Sequence, residues 1–203
     1  MSELRQDPIT KEWVIIATAR TRRPHEFRSR ATGSQVSSSA KPCPFCPGNE
    51  RMTPNEVAAY RSSGKDSPGW WVRVVPNRFP ALTPDASDGR SDDPFFRFMP
   101  GRGRHEVIIE TPEHIMPFAL LPDHQAEEVV LMYRDRYLAF RNDGAVKAVI
   151  LFKNKGEAAG TSLDHPHSQI VGMPVVPERI RDKYGIATRY YDCLLYTSPS
   201  PRD

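Results

Sequence analysis

Five residues late in the chain, His165-Pro166-His167-Ser168-Gln169, concentrate the groups best suited to chemistry. On an extended strand, side chains alternate between faces, so His165 and His167 share one face and Gln169 joins them two residues on. Two imidazoles on one face can do two jobs: one holds a metal ion, the other attacks an electrophile such as phosphorus. An attacking imidazole needs one nitrogen unprotonated and the other pinned by an acceptor, commonly a backbone carbonyl. The stiff Pro166 between the two histidines fixes their relation. Gln169 can donate to a phosphate oxygen. Gly160 and Ser162, just upstream, can offer backbone and hydroxyl donors to a diphosphate. In such a transfer, positioning and charge stabilisation do most of the catalysis.

A second constellation is Cys43-Pro44-Phe45-Cys46, a Cys-x-x-Cys turn that can present two thiolates to one ion. Tetrahedral zinc accepts sulfur and imidazole ligands. Two further ligands would have to be histidines, and the chain offers His25, His105, His114, His124, His165 and His167. None stands at zinc-finger spacing, so a metal site would be assembled by the fold. A redox pair or two ordinary thiols is the competing reading of Cys43 and Cys46.

The elements that must position these groups are short. Glu12 to Ala17, Trp70 to Val75, Glu106 to Glu110, Ala148 to Phe152 and Ser168 to Met173 are rich in β-branched and aromatic residues and read as strands. The clearest helix begins at an Asp123 cap and ends near Phe140. Val129, Tyr133, Tyr137 and Phe140 form its apolar stripe. Cys43 to Gly48 reads as a tight turn, Asn142-Asp143-Gly144 as another. Ala31 to Ala40 reads as a Ser/Gly-rich flexible loop, and Thr83 to Pro94 as an acidic surface loop. A strand, a long helix and two more strands point to an α+β fold, an antiparallel sheet backed by helices.

Composition narrows the function classes. The 203 residues can bury a core in one domain, and 38% hydrophobic with 26% charged residues fits a folded globular protein. A net charge of +3 gives no field suited to nucleic acid or an anionic membrane. No run of about 18 apolar residues is present to span a bilayer. The first residues lack the apolar stretch of a signal peptide, so the expected compartment is the cytoplasm, where thiols stay reduced. Twenty prolines favour loops and short strands. Residues 193–203 read differently from the rest. They resemble one reading frame of a transposase sequencing-library adapter and are set aside as a non-native tail, leaving 1–192 as one amino-terminal domain.

Together with Asn154-Lys155-Gly156, Pro76-Asn77-Arg78-Phe79-Pro80, the opening Arg5 to Val14 and Arg104 to His114, the two motifs resemble the galactose-1-phosphate uridylyltransferase family of the histidine-triad superfamily. The likeness covers nearly all of residues 3 to 192, in order. It implies a histidine-triad-like sheet and a ping-pong exchange of UMP between UDP-glucose and galactose 1-phosphate, part of galactose metabolism, through a uridylyl group on His167. It also implies a zinc ion held by Cys43, Cys46, His114 and His165. By the same resemblance Gln169 and Ser162 contact phosphoryl oxygens, and Asn77, Phe79, Asn154 and Gly160 line the nucleotide site. Arg20 and Arg23 match an Arg-x-x-Arg-Pro element near the substrate phosphates; their competing reading is solvated charge.

Three positions depart from the family's pattern. Ser168 stands where many members have Gly, Arg78 follows the nucleotide-site Asn in place of Asp, and Lys183 stands where some members have a second-metal Glu. The Ser168 variant is similar to a branch that includes plant ADP-glucose-phosphate adenylyltransferases. Adenylyl transfer from ADP-glucose to phosphate is therefore one alternative, and a zinc-stabilised nucleotide-binding module without turnover is another. Family chains are longer, with a second half of the sheet and a homodimer in the full-length form. A truncated chain is expected to expose a sheet edge and to fold poorly, aggregate or be inactive, although its nucleophile is present.

Overall fold

The computed structural model describes residues 2–18, 42–87, 89–91, 93–161 and 163–194. Arg20, Arg23, Ser162 and the loop from Ala31 to Ala40 lie outside the described residues, as does the tail from residue 195.

Among the described residues eight strands form two antiparallel sheets, and the fold is α+β. The small sheet orders as β2-β1-β5, with β1 Ser2–Gln6, β2 Trp13–Ala17 and β5 Phe98–Pro100. Its hairpin closes because Asp7 Oδ1 accepts the N–H groups of Ile9 and Thr10 at 2.7 and 2.8 Å. Such an Asx turn satisfies backbone donors that would otherwise face solvent unpaired. The large sheet orders as β3-β4-β6-β8-β7. These strands are β3 Ala58–Arg61, β4 Trp70–Pro76, β6 Arg104–Ile109, β7 Ala148–Phe152 and β8 His167–Met173. β8 is thus an interior strand, paired on both sides, and every one of its residues is buried.

Strand alternation sorts the large sheet into two faces. Val72, Val74, Ile108 and Ile170 pack against Val129, Met132 and Phe140 of helix α1, Asp123–Arg141. Each such buried side chain contributes about 1.5–3 kcal/mol. On the opposite face Val75, Val107 and Ile109 enclose Phe45 and Trp70. Gly172 of β8 lies so near α1 that a Cβ there would stand 2.8 Å from Phe140 Cδ2.

Two expectations are corrected. Asp123 is the first helical residue rather than the cap; Pro122 holds the cap position, and no side chain bonds there. Met132, not Tyr137, completes the buried stripe, because the turn places Tyr137 at 46% exposure. The second helix, α2 Glu178–Leu194, has no buried residue among those described.

Candidate active site

The ends of β6 and β8 bring the chemistry together. Ile109 pairs with His167 and Val107 with Gln169, so the start of β8 lies beside the end of β6. The Glu110 N–H then reaches Pro166 O at 3.3 Å. Beyond Glu110, the carbonyl of Thr111 accepts from His165 Nε2 at 2.8 Å. That bond puts the proton of a neutral His165 on Nε2 and its lone pair on Nδ1. Burial is the main reason that His165 is pushed down to about 4, so the neutral ring is the resident form.

His165 Nδ1 faces the cysteines, 3.8 Å from Cys43 Sγ and 3.6 Å from Cys46 Sγ. His114 Nδ1 is 3.3 Å from Cys46 Sγ. All four ligand atoms lie within 4.8 Å of one another. A tetrahedral ion with bonds of about 2.0–2.3 Å requires ligand atoms about 3.3–3.8 Å apart. The four donors therefore fit a metal ion, and the Thr111 carbonyl is the outer partner that orients a ligating imidazole. Burial, followed by the neighbouring Cys46, pushes the Cys43 thiol up to about 11. A cation at this place would reverse that effect by stabilising the thiolate.

His167 stands on the same side, its ring 5.3 Å from Phe45, which also meets His165 at 6.1 Å. His165 itself precedes β8, so the two rings share a side through the bend at His165 rather than through strand alternation. His167 Nδ1 donates to His165 O at 2.8 Å. The neutral ring then carries its lone pair on Nε2, the arrangement a nucleophilic imidazole needs.

Gln169 follows on the same face at 3% exposure. Its Oε1 lies 2.9 Å from His105 Nε2 and accepts from Asn77 Nδ2 at 3.2 Å. Asn77 Oδ1 in turn accepts the Phe79 N–H at 2.9 Å. Asn77 and Phe79 are therefore tied to Gln169. Asn154 and Gly160 sit on the loop between β7 and β8, half-buried and exposed respectively, and no hydrogen bond joins either to His167 or Gln169 among the described residues.

Sequence reasoning missed several groups here. His105 entered only as one of six candidate metal ligands. Glu110, fully buried on the α1 face, accepts from Ser168 Oγ and from Tyr133 Oη, the latter at 2.7 Å, and pairs with Lys153 Nζ. Ser168 and Tyr133 hydroxyls are themselves 2.7 Å apart. Thr161, beside the expected Ser162, is buried with no hydrogen-bond partner for its hydroxyl among the described residues. The alternation of His105 and Glu106 through Ile108 and Glu110 was the available signal, since a period of two separates the faces of β6.

Residues 1–177 match the family described as galactose-1-phosphate uridyl transferase, N-terminal domain. An ADP-glucose phosphorylase from Arabidopsis thaliana is 32% identical over 194 residues, covering 94% of this chain and 54% of the relative. A galactose-1-phosphate uridylyltransferase from Thermotoga maritima is also 32% identical over 194 residues, covering 95% and 53%. A solved uridylyltransferase superposes with a TM-score of 0.66 at 28% identity, over 94% of this chain and 52% of that one. The Arabidopsis thaliana ADP-glucose phosphorylase with bound ADP-glucose superposes with a TM-score of 0.63 at 28% identity, over 95% and 55%. The chain spans about half the length of these relatives.

Proposed function

We propose, from the premise that this chain belongs to the galactose-1-phosphate uridyl transferase family, that it carries the nucleophile of a nucleotidylyl transfer between a nucleotide sugar and a hexose phosphate. The observation that carries the reading is the His167 Nδ1–H donation to His165 O, which reserves Nε2 for attack. In the first half-reaction Nε2 forms a bond to the α-phosphorus of UDP-glucose. The bond from that phosphorus to the bridging oxygen breaks, and glucose 1-phosphate leaves with the electron pair. The Nδ1 proton stays on its bond to the His165 carbonyl, which offsets the positive charge of the substituted ring. In the second half-reaction a phosphate oxygen of galactose 1-phosphate attacks the same phosphorus, and His167 leaves as the neutral ring.

The remaining groups bind and orient. The Gln169 amide nitrogen donates to a phosphoryl oxygen, as do Ser162 and the Gly160 backbone. The orphaned Thr161 hydroxyl would gain a partner from a bound phosphate, relieving about 1–3 kcal/mol of unpaired burial. Asn77, Phe79 and Asn154 line the nucleotide, and Arg20 and Arg23 meet substrate phosphates. Cys43, Cys46, His114 and His165 would hold zinc, which when bound supplies a fixed anchor for the His165 backbone. A cytoplasmic setting suits two reduced thiolates, and the full-length form is a homodimer in this reading.

Adenylyl transfer from ADP-glucose to phosphate is the second reading. It is favoured by the Arabidopsis thaliana relative, an ADP-glucose phosphorylase as similar in sequence as the Thermotoga maritima uridylyltransferase. The test is release of glucose 1-phosphate from each donor in the absence of acceptor. Stoichiometric release from UDP-glucose alone supports uridylyl transfer, and release from ADP-glucose alone supports the second reading. Release from neither removes both.

A further inference from the structure

We infer that His105 is a positioning residue that fixes which end of the Gln169 side-chain amide faces the reacting phosphoryl group; this rests on the function proposed above.

The argument runs through hydrogen-bond polarity. A glutamine amide can turn over and exchange its donor and acceptor ends, because nitrogen and oxygen have nearly the same shape. A phosphoryl oxygen accepts only, so one of the two orientations is useless to it. His105 is buried at 5% exposure, and its Nδ1 accepts the Ala81 N–H at 3.0 Å. The ring proton must then reside on Nε2, which stands 2.9 Å from Gln169 Oε1. A second donor, Asn77 Nδ2, reaches the same oxygen at 3.2 Å. Asn77 cannot turn over either, because its Oδ1 holds the Phe79 N–H at 2.9 Å. Asn77 Nδ2 also lies 3.1 Å from His105 Nε2. With the proton on Nε2 that contact is donor beside donor, and both converge on Oε1.

The chain of polarity starts at a backbone amide and ends at Gln169. Ala81 N–H sets the His105 tautomer, the tautomer sets the Gln169 oxygen, and the Gln169 NH2 is left on the other end. The backbone supports the same arrangement: Asn77 N–H donates to His105 O at 2.9 Å, which holds the start of the loop after β4 against β6. The register places His105 opposite Val171 and Val107 opposite Gln169, so His105 reaches Gln169 diagonally on one face. Turned over, the Gln169 NH2 would meet two donors in a buried site, a mismatch that costs far more than an exposed one.

The test uses the full chain and four variants: His105→Phe, His105→Gln, Gln169→Ala and the double variant His105→Phe/Gln169→Ala. Single-turnover formation of nucleotidyl-His167 is followed with UDP-glucose and with ADP-glucose. His105→Phe is expected to slow adduct formation by about 10- to 100-fold, with the half-saturating donor concentration changed less than about threefold. His105→Gln, which restores a donor, recovers most of the rate. In the Gln169→Ala background His105→Phe adds less than about a twofold loss, because the group it orients is gone. Equal losses in both backgrounds, or no loss in His105→Phe, would overturn the inference.

Long-range proton–nitrogen NMR of the unmutated protein supplies a readout independent of turnover and of variant folding. The inference requires the Nε2–H tautomer of His105 at neutral pH, and the Nδ1–H tautomer would refute it. If neither donor yields an adduct, the proposed function fails while the tautomer still decides the role of His105.

Discussion

Replacing Glu110 by Gln isolates the buried network beside β8. The carboxylate is fully buried and accepts from two hydroxyls, Ser168 Oγ and Tyr133 Oη, while pairing with Lys153 Nζ. Gln keeps the shape and can still accept through its oxygen, so no cavity forms. What is lost is charge. A hydrogen bond to an ionised group contributes about 1.5–3 kcal/mol and a neutral one about 0.5–1.5, so the two hydroxyl bonds together weaken by about 2 kcal/mol. The new amide NH2 faces the Lys153 ammonium, donor against donor. Lys153 is 30% exposed and can turn to water, so its pairing adds no more than about 1 kcal/mol. The sum is about 2–3 kcal/mol. In a chain of this size each kcal/mol moves the midpoint by about 2–4 °C, so the melting temperature should fall by about 4–12 °C. Thermal denaturation at fixed metal content measures it. Tyr133→Phe alone should lose less, and it should lose still less in the Glu110→Gln background, because the two share a partner. A melting temperature for Glu110→Gln within about 1 °C of the parent would refute the reasoning.

Three other outcomes follow from particular contacts. One metal ion per chain is expected, and Cys46→Ser should weaken its binding by more than about 100-fold; metal analysis after dialysis against a graded chelator reads this, and unchanged retention would count against the four-donor site. Gly103 has φ of +156°, and a Cβ there would stand 2.3 Å from the Gly172 carbonyl oxygen, so Gly103→Ala should cost about 2–5 kcal/mol in urea denaturation. Burial alone would raise the Glu50 carboxyl, but the Trp70 indole N–H at 2.9 Å and the Gly48 N–H hold it below the ordinary value. Asp66 is held down in the same way, against its own burial, by the Glu56 N–H and Arg73. Both folded values lie below the unfolded ones, so the stability they give is present above about pH 4 and is lost as pH falls through the folded values. Acid titration followed by circular dichroism should show that loss, and it should be smaller in Glu50→Gln.

The sequence made the strongest strands legible because their apolar runs are continuous. Ala148 to Phe152 agrees at both ends, and Ser168 to Met173 differs by one residue. Ser2–Gln6, Ala58–Arg61 and Phe98–Pro100 were not legible, because they are short, polar or partly exposed and exist through pairing with neighbouring strands. Helix α2 escaped although Ile180, Tyr184, Ala187 and Tyr191 recur at i, i+4, i+7 and i+11; these side chains are exposed, so the stripe marks a helix without marking a core. At the site, Cys43, Cys46, His114 and His165 converge as the family resemblance implied. Spacing alone could not select His114 and His165 from six histidines, because the fold brings the four together from three separate parts of the chain. The chemistry of histidine asks for an acceptor, commonly a backbone carbonyl, beside any attacking imidazole, and His167 Nδ1 donates to His165 O. The period of two along β6 separated the faces of His105 and Glu110, but their partners depend on the β6–β8 register, which the local pattern does not give.

The central claim is that His167 is a covalent nucleophile. Intact-mass spectrometry of the full chain after brief mixing with UDP-glucose or ADP-glucose, followed by peptide mapping, tests it directly. The account predicts one nucleotidyl group per chain, mapped to His167 and absent in His167→Gly. A protein that stays at its unmodified mass with both donors, or one that carries the group on any other residue, would contradict it.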